Sequence, residues 1–234
     1  PAPTVGVFLT RDSITAGGWP SVYGGEAHVI IGDSTNLPPD ITVNATGHSQ
    51  QIWRRSTSDL RALQRFQTPG RIAANWNSTT NFTVEIGMGG GALRRLSVYC
   101  LDWIAGGTRS QIIEVIDAAT GIVLDTQSVS SFSGGQYLTW FVRGHIRLRV
   151  TRVAGESAII SGLFLQSHLN AAPEVSLIEP AANSSVALPD AVTLRANVSD
   201  TDTGVSRVEY FANSLKVGEA FVPPYTFVWS NVLA

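Results

Sequence analysis

Flat aromatic rings set beside short polar side chains recur along the first two thirds of this chain. Trp19 and Tyr23 lie in the glycine-rich stretch "AGGWPSVYGG", and Trp76 stands between Asn75 and Asn77. Trp103 follows Asp102 in "LDWIAGGTR", which Arg109 closes, and Tyr137 follows the paired glycines of "SSFSGGQYLTW". The apolar C–H face of a pyranose stacks on a flat ring, and neighbouring Asn, Asp or Arg groups then fix its hydroxyls. These seven residues are therefore the candidate ligand-binding set. Two readings stand for each aromatic: a ring offered to a ligand, or a ring packed inside the fold. Trp53 and Trp140 fall within strand patterns and are read as core, as is Trp229 near the end of the chain.

Other chemistries find less support. "SSFSGGQYLTW" has the glycines of a phosphate loop, but no Lys-Ser/Thr and no following helix whose N-terminus could meet a phosphate. Gly134 and Gly135 are read instead as residues that reverse the chain. The four histidines, His28, His48, His145 and His168, have no metal-ligand spacing, and neither a G-x-S-x-G elbow nor a Ser/His/Asp set is recognisable. A non-catalytic protein is expected. In "SDTDTG", Asp200 and Asp202 could hold Ca²⁺ through carboxylates and backbone carbonyls, or form a plain Asx turn. Cys100 is the single cysteine, so no intrachain disulfide forms, and its apolar setting "LSVYCLDW" reads as a buried thiol.

Arg143, His145, Arg147 and Arg149 alternate with apolar residues in "VRGHIRLRV". On one strand they would form a row of cations about 7 Å apart. Such a row faces either an acidic ligand or Asp and Glu of adjacent strands. Nucleic acid is not expected, because the net charge is −2 and no aromatic set is interleaved with the row.

The elements that must position these residues are strands. The best helical candidate is "STSDLRALQRF", with Ser56 or Ser58 as cap. Elsewhere runs of five to eight residues are separated by Gly, Ser, Asn and Pro. "NFTVEI" places Phe82, Val84 and Ile86 on one face, and "LSVYCLDW" is apolar nearly throughout, as a central strand would be. "IIEVIDAATGIVLDTQSV" reads as strand, tight turn at Asp117–Gly121 and strand. Roughly ten such segments predict a sandwich of two antiparallel sheets.

"QSHLNAAPEV" marks a linker, and past it the texture changes. Residues 169–234 carry 3 of the 16 basic and 7 of the 18 acidic residues, which also suggests two domains. The expected division is 1–166, a linker at 167–173, and 174–234. In the last part strands are expected at Glu174–Ile178, Val192–Val198, Val205–Ala212, Leu215–Glu219 and Tyr225–Trp229. No apolar run reaches the 18 residues of a membrane-spanning helix.

On "PEVSLIEPAANSSV", "VTLRANVSDTDTGVSRVEYFAN" and "PPYTFVWSNV", the final part resembles the bacterial Ig-like domains of large secreted proteins. The resemblance implies further strands past Ala234, so an incomplete domain is expected, with truncation or strand exchange as its two explanations. The opening "PAPT" reads as a linker end, so a mature fragment of something longer is expected. On "GGWPSVYGGEAHVIIGDSTN", "RIAANW", "YCLDW", "EVIDAATGIVLDTQSVSSFSGGQYLTW" and "SAIISGLFL", the first part resembles the galactose-binding-like jelly-roll sandwiches, a group with many carbohydrate-binding modules. That resemblance implies an all-β chain, a glycan or surface polysaccharide as partner, Ca²⁺ as an occasional ion, and a secreted or cell-surface setting. The alternative expectation is a structural subunit of an extracellular fibre or surface layer, self-associating through the Ig-like part.

Overall fold

Alternating apolar and polar residues build strands along nearly the whole chain. The computed structural model describes residues 2–104, 107–167, 173–185, 191–199, 205 and 207–230. The chain divides into two units, Pro1–His168 and Leu169–Ala234.

In chain order the strands of the first unit are β1 (Val5–Asp12), β2 (Ala27–Ile30), β3 (Ser34–Asn36), β4 (Ile41–Thr46), β5 (Ser49–Thr57), β6 (Leu63–Gln64), β7 (Arg71–Ser78), β8 (Asn81–Met88), β9 (Arg94–Cys100), β10 (Ser110–Asp117), β11 (Val123–Ser130), β12 (Gln136–Arg143), β13 (His145–Ala154), β14 (Ala158–Ile160) and β15 (Gly162–Ser167). They form a six-stranded sheet in the order β1-β12-β9-β15-β2-β3 and a five-stranded sheet in the order β11-β10-β13-β8-β4. A third sheet, β14-β7-β5 with β6 paired to β7, was not foreseen from the sequence. All pairings are antiparallel. From β8 onward the chain steps repeatedly between the two large sheets, which is the winding of a jelly roll.

The two large sheets share one core. Phe82, Val84 and Ile86 of β8 and Ile146, Leu148 and Val150 of β13 are all at most 1% exposed, and they pack with Leu96, Val98 and Trp140. Each such side chain contributes about 1.5–3 kcal/mol on burial. The Trp140 Nε1 donates to Asp125 Oδ2 of β11 at 2.7 Å, which satisfies its one polar atom inside the sandwich. β9 is central in its sheet and buried on both faces, as its sequence predicts.

The outer face of the six-stranded sheet carries a second apolar layer. Tyr99, Tyr137 and Phe164 project there and are covered by Trp19, Tyr23 and Phe66. Trp19 sits in the one helical turn among the described residues, a 3₁₀ turn at Trp19–Ser21.

"STSDLRALQRF" is not a helix. β5 runs through Thr57, and Asp59 Oδ1 then accepts from the Arg61 amide at 2.9 Å in a turn. The backbone groups that a helix would pair internally are taken by Gly17, which donates to Leu60 O and accepts from Gln64 N, each at 2.9 Å. A Cβ at Gly17 would lie 1.8 Å from Ala62 O, so only glycine permits this close pairing.

The cation row also breaks. Gly144, with φ +87°, separates β12 from β13, so Arg143 belongs to the six-stranded sheet and His145, Arg147 and Arg149 to the five-stranded one. Asp117–Gly121 forms the expected turn, with Gly121 at φ +75° and its amide donating to Asp117 O at 2.8 Å.

In the second unit the strands are β16 (Glu174–Glu179), β17 (Val192–Ser199), β18 (Val208–Ala212), β19 (Leu215–Ala220) and β20 (Thr226–Trp229). β16, β17 and β20 form one sheet, and β18 and β19 a hairpin. Val192, Leu194, Ala196, Val208 and Tyr210 make the core, against which Phe227 and Trp229 pack.

Candidate functional site

Of the seven candidate ligand-binding residues, only two keep a ring partly open to solvent. Trp19 is 3% exposed, wedged 4.9 Å from the His28 ring and 5.1 Å from Phe164, with Nε1 donating to Gln64 O at 2.7 Å. Tyr23 stacks on Tyr137 at 4.1 Å and donates its hydroxyl to Asp12 Oδ2 at 2.8 Å. Tyr137 is fully buried. Burial pushes the phenols of Tyr23 and Tyr137 well above their ordinary pKa, so both stay neutral. These three aromatics come together as packing, not as a rim.

Asp102 and Arg109 form a buried ion pair through Oδ1 and Nη1, and the Arg109 amide also donates to Asp102 Oδ2 at 3.2 Å. The arginine reaches Glu156 at 2.7 Å with its other terminal nitrogen. Asp102 is therefore turned inward onto Arg109, and Arg109 ties the loop before β10 to the loop after β13 through Glu156. Trp103 is half-buried, and the Arg61 guanidinium lies over its ring at 4.8 Å. Arg61 is itself held by Asp59 at 2.8 Å and by Ser133 O at 3.0 Å. One face of the Trp103 ring is thus occupied by a fixed cation.

Trp76 differs. It lies on β7 directly opposite Gln50 of β5, so strand pairing puts both side chains on one face of the third sheet. Its Nε1 donates to Gln50 Oε1 at 3.4 Å, and the His48 ring rests 4.9 Å from the indole. Facing them is the turn after β2. Gly32, with φ +78°, lets that turn lie against Ile52 and Ala74. Between turn and sheet is a cavity of about 250 Å³, open to solvent, lined by Asp33, Ser34, Thr35, Gln50 and Trp76 together with the C-terminal end of β2.

The polar groups of this cavity have distinct states. Asp33 is spent on structure: Oδ1 accepts from Arg65 Nε at 2.7 Å and Oδ2 from the Phe66 amide at 3.0 Å. The Ser34 Oγ is shielded from solvent and has no hydrogen-bond partner within the protein, and His48 Nδ1 is in the same condition beside the indole. Burial holds the His48 imidazole below its usual pKa, so it is neutral near pH 7. Of these residues the sequence singled out Trp76 alone. Gln50 and His48 become neighbours through register, and Ser34 and Thr35 through a long-range turn. The "GDSTN" stretch carried its polar character in plain view, but not its destination.

The remaining cations of β13 answer the other open question. Arg147 binds Glu85 at 2.5 Å and Arg149 binds Glu114 at 2.6 Å, each across a strand pair, while His145 Nε2 stands 3.7 Å from Glu85. Arg147 and Arg149 hold the carboxyls of Glu85 and Glu114 below the usual range. The row is a charge ladder internal to its sheet. Cys100 is buried, and desolvation pushes its thiol up to about 12, which leaves it unreactive at neutral pH. Asp200 and Asp202 lie outside the described residues.

Comparison with known proteins bears mainly on the second unit. Its five strands, with a three-stranded sheet packed on a hairpin, correspond to a sequence match: residues 173–234 fit the model of the bacterial Ig domain family. The second unit is a bacterial Ig domain. The strands of this Ig domain lie within a residue or two of those read from the sequence, apart from β18, which starts at Val208 rather than Val205. For the chain as a whole, no curated protein matches. Among solved structures, that of TmCBM61 in complex with beta-1,4-galactotriose is similar at 11% identity, with a TM-score of 0.33 and coverage of 56% of this chain and 90% of that one. A likeness of that size carries no argument, and the jelly-roll description of the first unit rests on its strand order.

Proposed function

We propose that the first unit is a non-catalytic carbohydrate-binding module of a secreted or cell-surface protein, with the Ig domain as a spacer, and that the Trp76 cavity is its binding site. The observation that carries this reading is the meeting, in one cavity, of a half-buried indole with the Gln50 amide and the exposed Thr35. The indole supplies the apolar platform, and stacked rings contribute roughly 0.5–1.5 kcal/mol beyond the area they bury. Gln50 and Thr35 supply neutral donors and acceptors that discriminate hydroxyl positions. His48 packs on the indole and limits its rotation, so the platform is formed before a ligand arrives. The family of the second unit supports the extracellular setting, since bacterial Ig domains are typical of extracellular proteins.

The test is binding to an array of bacterial, plant and animal glycans by the wild-type chain and by Trp76→Ala. The expected result is Trp76-dependent binding, weakened about tenfold or more in the variant, a loss of the size that stacking plus area burial implies. The variant should stay folded, with a melting temperature lowered by the loss of the indole's packing against the core. Binding that survives Trp76→Ala would place the site elsewhere, and no binding across the array would remove the carbohydrate reading.

A further inference from the structure

The size and charge of the Trp76 cavity narrow its ligand further, and this step rests on the carbohydrate reading above. We infer that the cavity takes a single uncharged sugar residue, at a chain end or a branch, and rejects acidic sugars.

Size comes first. The cavity holds about 250 Å³. That lies below the roughly 300–1,000 Å³ of sites that enclose drug-sized ligands. The space is of a size for one pyranose ring, and because it opens to solvent, further units of a chain would lie outside it. The walls agree with this. The turn after β2 packs against Ile52 and Ala74 through Gly32 and closes the space on one side, and Trp76 with Gln50 bounds it on another.

Charge comes second. Asp33 is the one charged side chain in the lining, and it is an anion. Its Arg65 partner approaches Oδ1 at 2.7 Å, and its own side chain is 4% exposed, so the carboxylate is fixed and saturated. No Arg or Lys lines the cavity. A uronic or sialic acid carboxylate entering here would lose water and find no cation in the lining, the nearby Arg65 being engaged by Asp33, and desolvating a charge without a partner is unfavourable. The groups left to contact a ligand are Thr35, Gln50 and the indole, all neutral. The neighbouring His48 is kept neutral by its burial.

The contrast with the rest of the unit is informative. Five of its arginines are committed to carboxylates: Arg61 to Asp59, Arg94 to Glu26 and Asp40, Arg109 to Asp102, Arg147 to Glu85 and Arg149 to Glu114.

The experiment is a titration of the full chain, followed by two-dimensional amide NMR, with matched pairs of neutral and acidic monosaccharides: each hexose as its methyl glycoside beside the corresponding uronate, plus N-acetylhexosamines, deoxyhexoses, pentoses and sialic acid. Neutral di- and trisaccharides of the best monosaccharide complete the series. The expected outcome is shifts at Ser34, Thr35 and Gln50 for at least one neutral sugar, at least tenfold weaker binding of its uronate, and less than threefold gain from a second or third sugar unit. Equal affinity for hexose and uronate, or a gain above tenfold with chain length, overturns this inference and leaves carbohydrate binding standing. Failure of every monosaccharide and oligosaccharide to move these amides overturns both. Gln50→Glu provides a separate check: an added carboxylate should weaken the neutral sugar and leave the uronate no better bound, whereas recovery of uronate binding would contradict the charge argument.

Discussion

The same residue type takes opposite roles at Trp19 and Trp76, and nothing in their local sequence separates them. Both stand among small or polar neighbours. Trp19 is buried because Phe66 and Phe164, 47 and 145 residues further along the chain, come to meet it; Trp76 stays half open because its neighbours on the sheet face are Gln50 and His48. Burial at this level is set by long-range packing, which a linear pattern of residue types does not encode. His28 shows what the second apolar layer costs. Its ring lies 4.9 Å from Trp19 and 4.4 Å from Phe66, with Nε2 buried and unpartnered in the protein. Desolvation lowers its pKa from 6.5, and Asp33 offsets part of that shift. The sign follows directly: the unfolded chain takes up this proton more readily than the folded one, so the stabilising contribution is present above pH 6.5 and is lost as pH falls toward the depressed value. His48, also lowered by desolvation, acts in the same sense. The melting temperature of the first unit should therefore fall between about pH 7.5 and pH 5, before most carboxylates titrate. His28→Phe should reduce that dependence, and an unchanged slope in calorimetry would rule out His28 as its source.

Strands were the legible elements. β8 alternates cleanly, β9 is apolar throughout, and β10 and β11 meet at a turn whose glycine the sequence marks. The element that failed, the helix proposed over "STSDLRALQRF", has acceptable local propensity but loses its backbone partners to Gly17, a contact formed about 45 residues away in sequence. The third sheet was missed for a related reason, since β14 and β15 read as one run until Ser161 diverts its amide to Tyr99 O at 2.7 Å. Turns show the limit at finer grain. The two glycines after "SSFS" look equivalent in sequence. Gly135 has φ +86°, and a Cβ there would fall 1.8 Å from the Tyr99 hydroxyl, which donates to Arg61 O at 2.6 Å. At Gly134 a Cβ would meet nothing within 4 Å. Gly135→Ala should thus destabilise the fold by about 2 kcal/mol or more, through a strained φ together with a clash against a hydrogen-bonded phenol. Gly134→Ala should change stability by less than about 0.5 kcal/mol, as an uncrowded surface substitution does. Denaturant titration of both variants checks the pair, and equal effects would contradict the close approach of Tyr99.

At the scale of the whole chain, the two units differ in how completely they exclude water. In the jelly roll, 22 core side chains from the two large sheets are at most 1% exposed, whereas no residue of the Ig domain's core cluster falls below 5%. The Ig domain also leaves much apolar surface in water: Val175 is 65% exposed, Leu177 53% and Phe211 56%. β16 lies at the edge of its sheet, and five of its six residues are exposed. A small unit buries a smaller share of its surface and gains correspondingly less from the hydrophobic effect. Two separate cores of such different quality should open separately, with local stability following buried apolar contact. Amide hydrogen exchange on the full chain is the direct measurement. β8, β9, β12 and β13 should exchange slowest, β17 at an intermediate rate, and β16 fastest among the strands of the Ig domain. In calorimetry the same difference should appear as two transitions, the lower belonging to residues 173–234. A single transition with uniform protection across β9 and β17 would show that the two cores unfold as one, and would refute the division of stability argued from their burial.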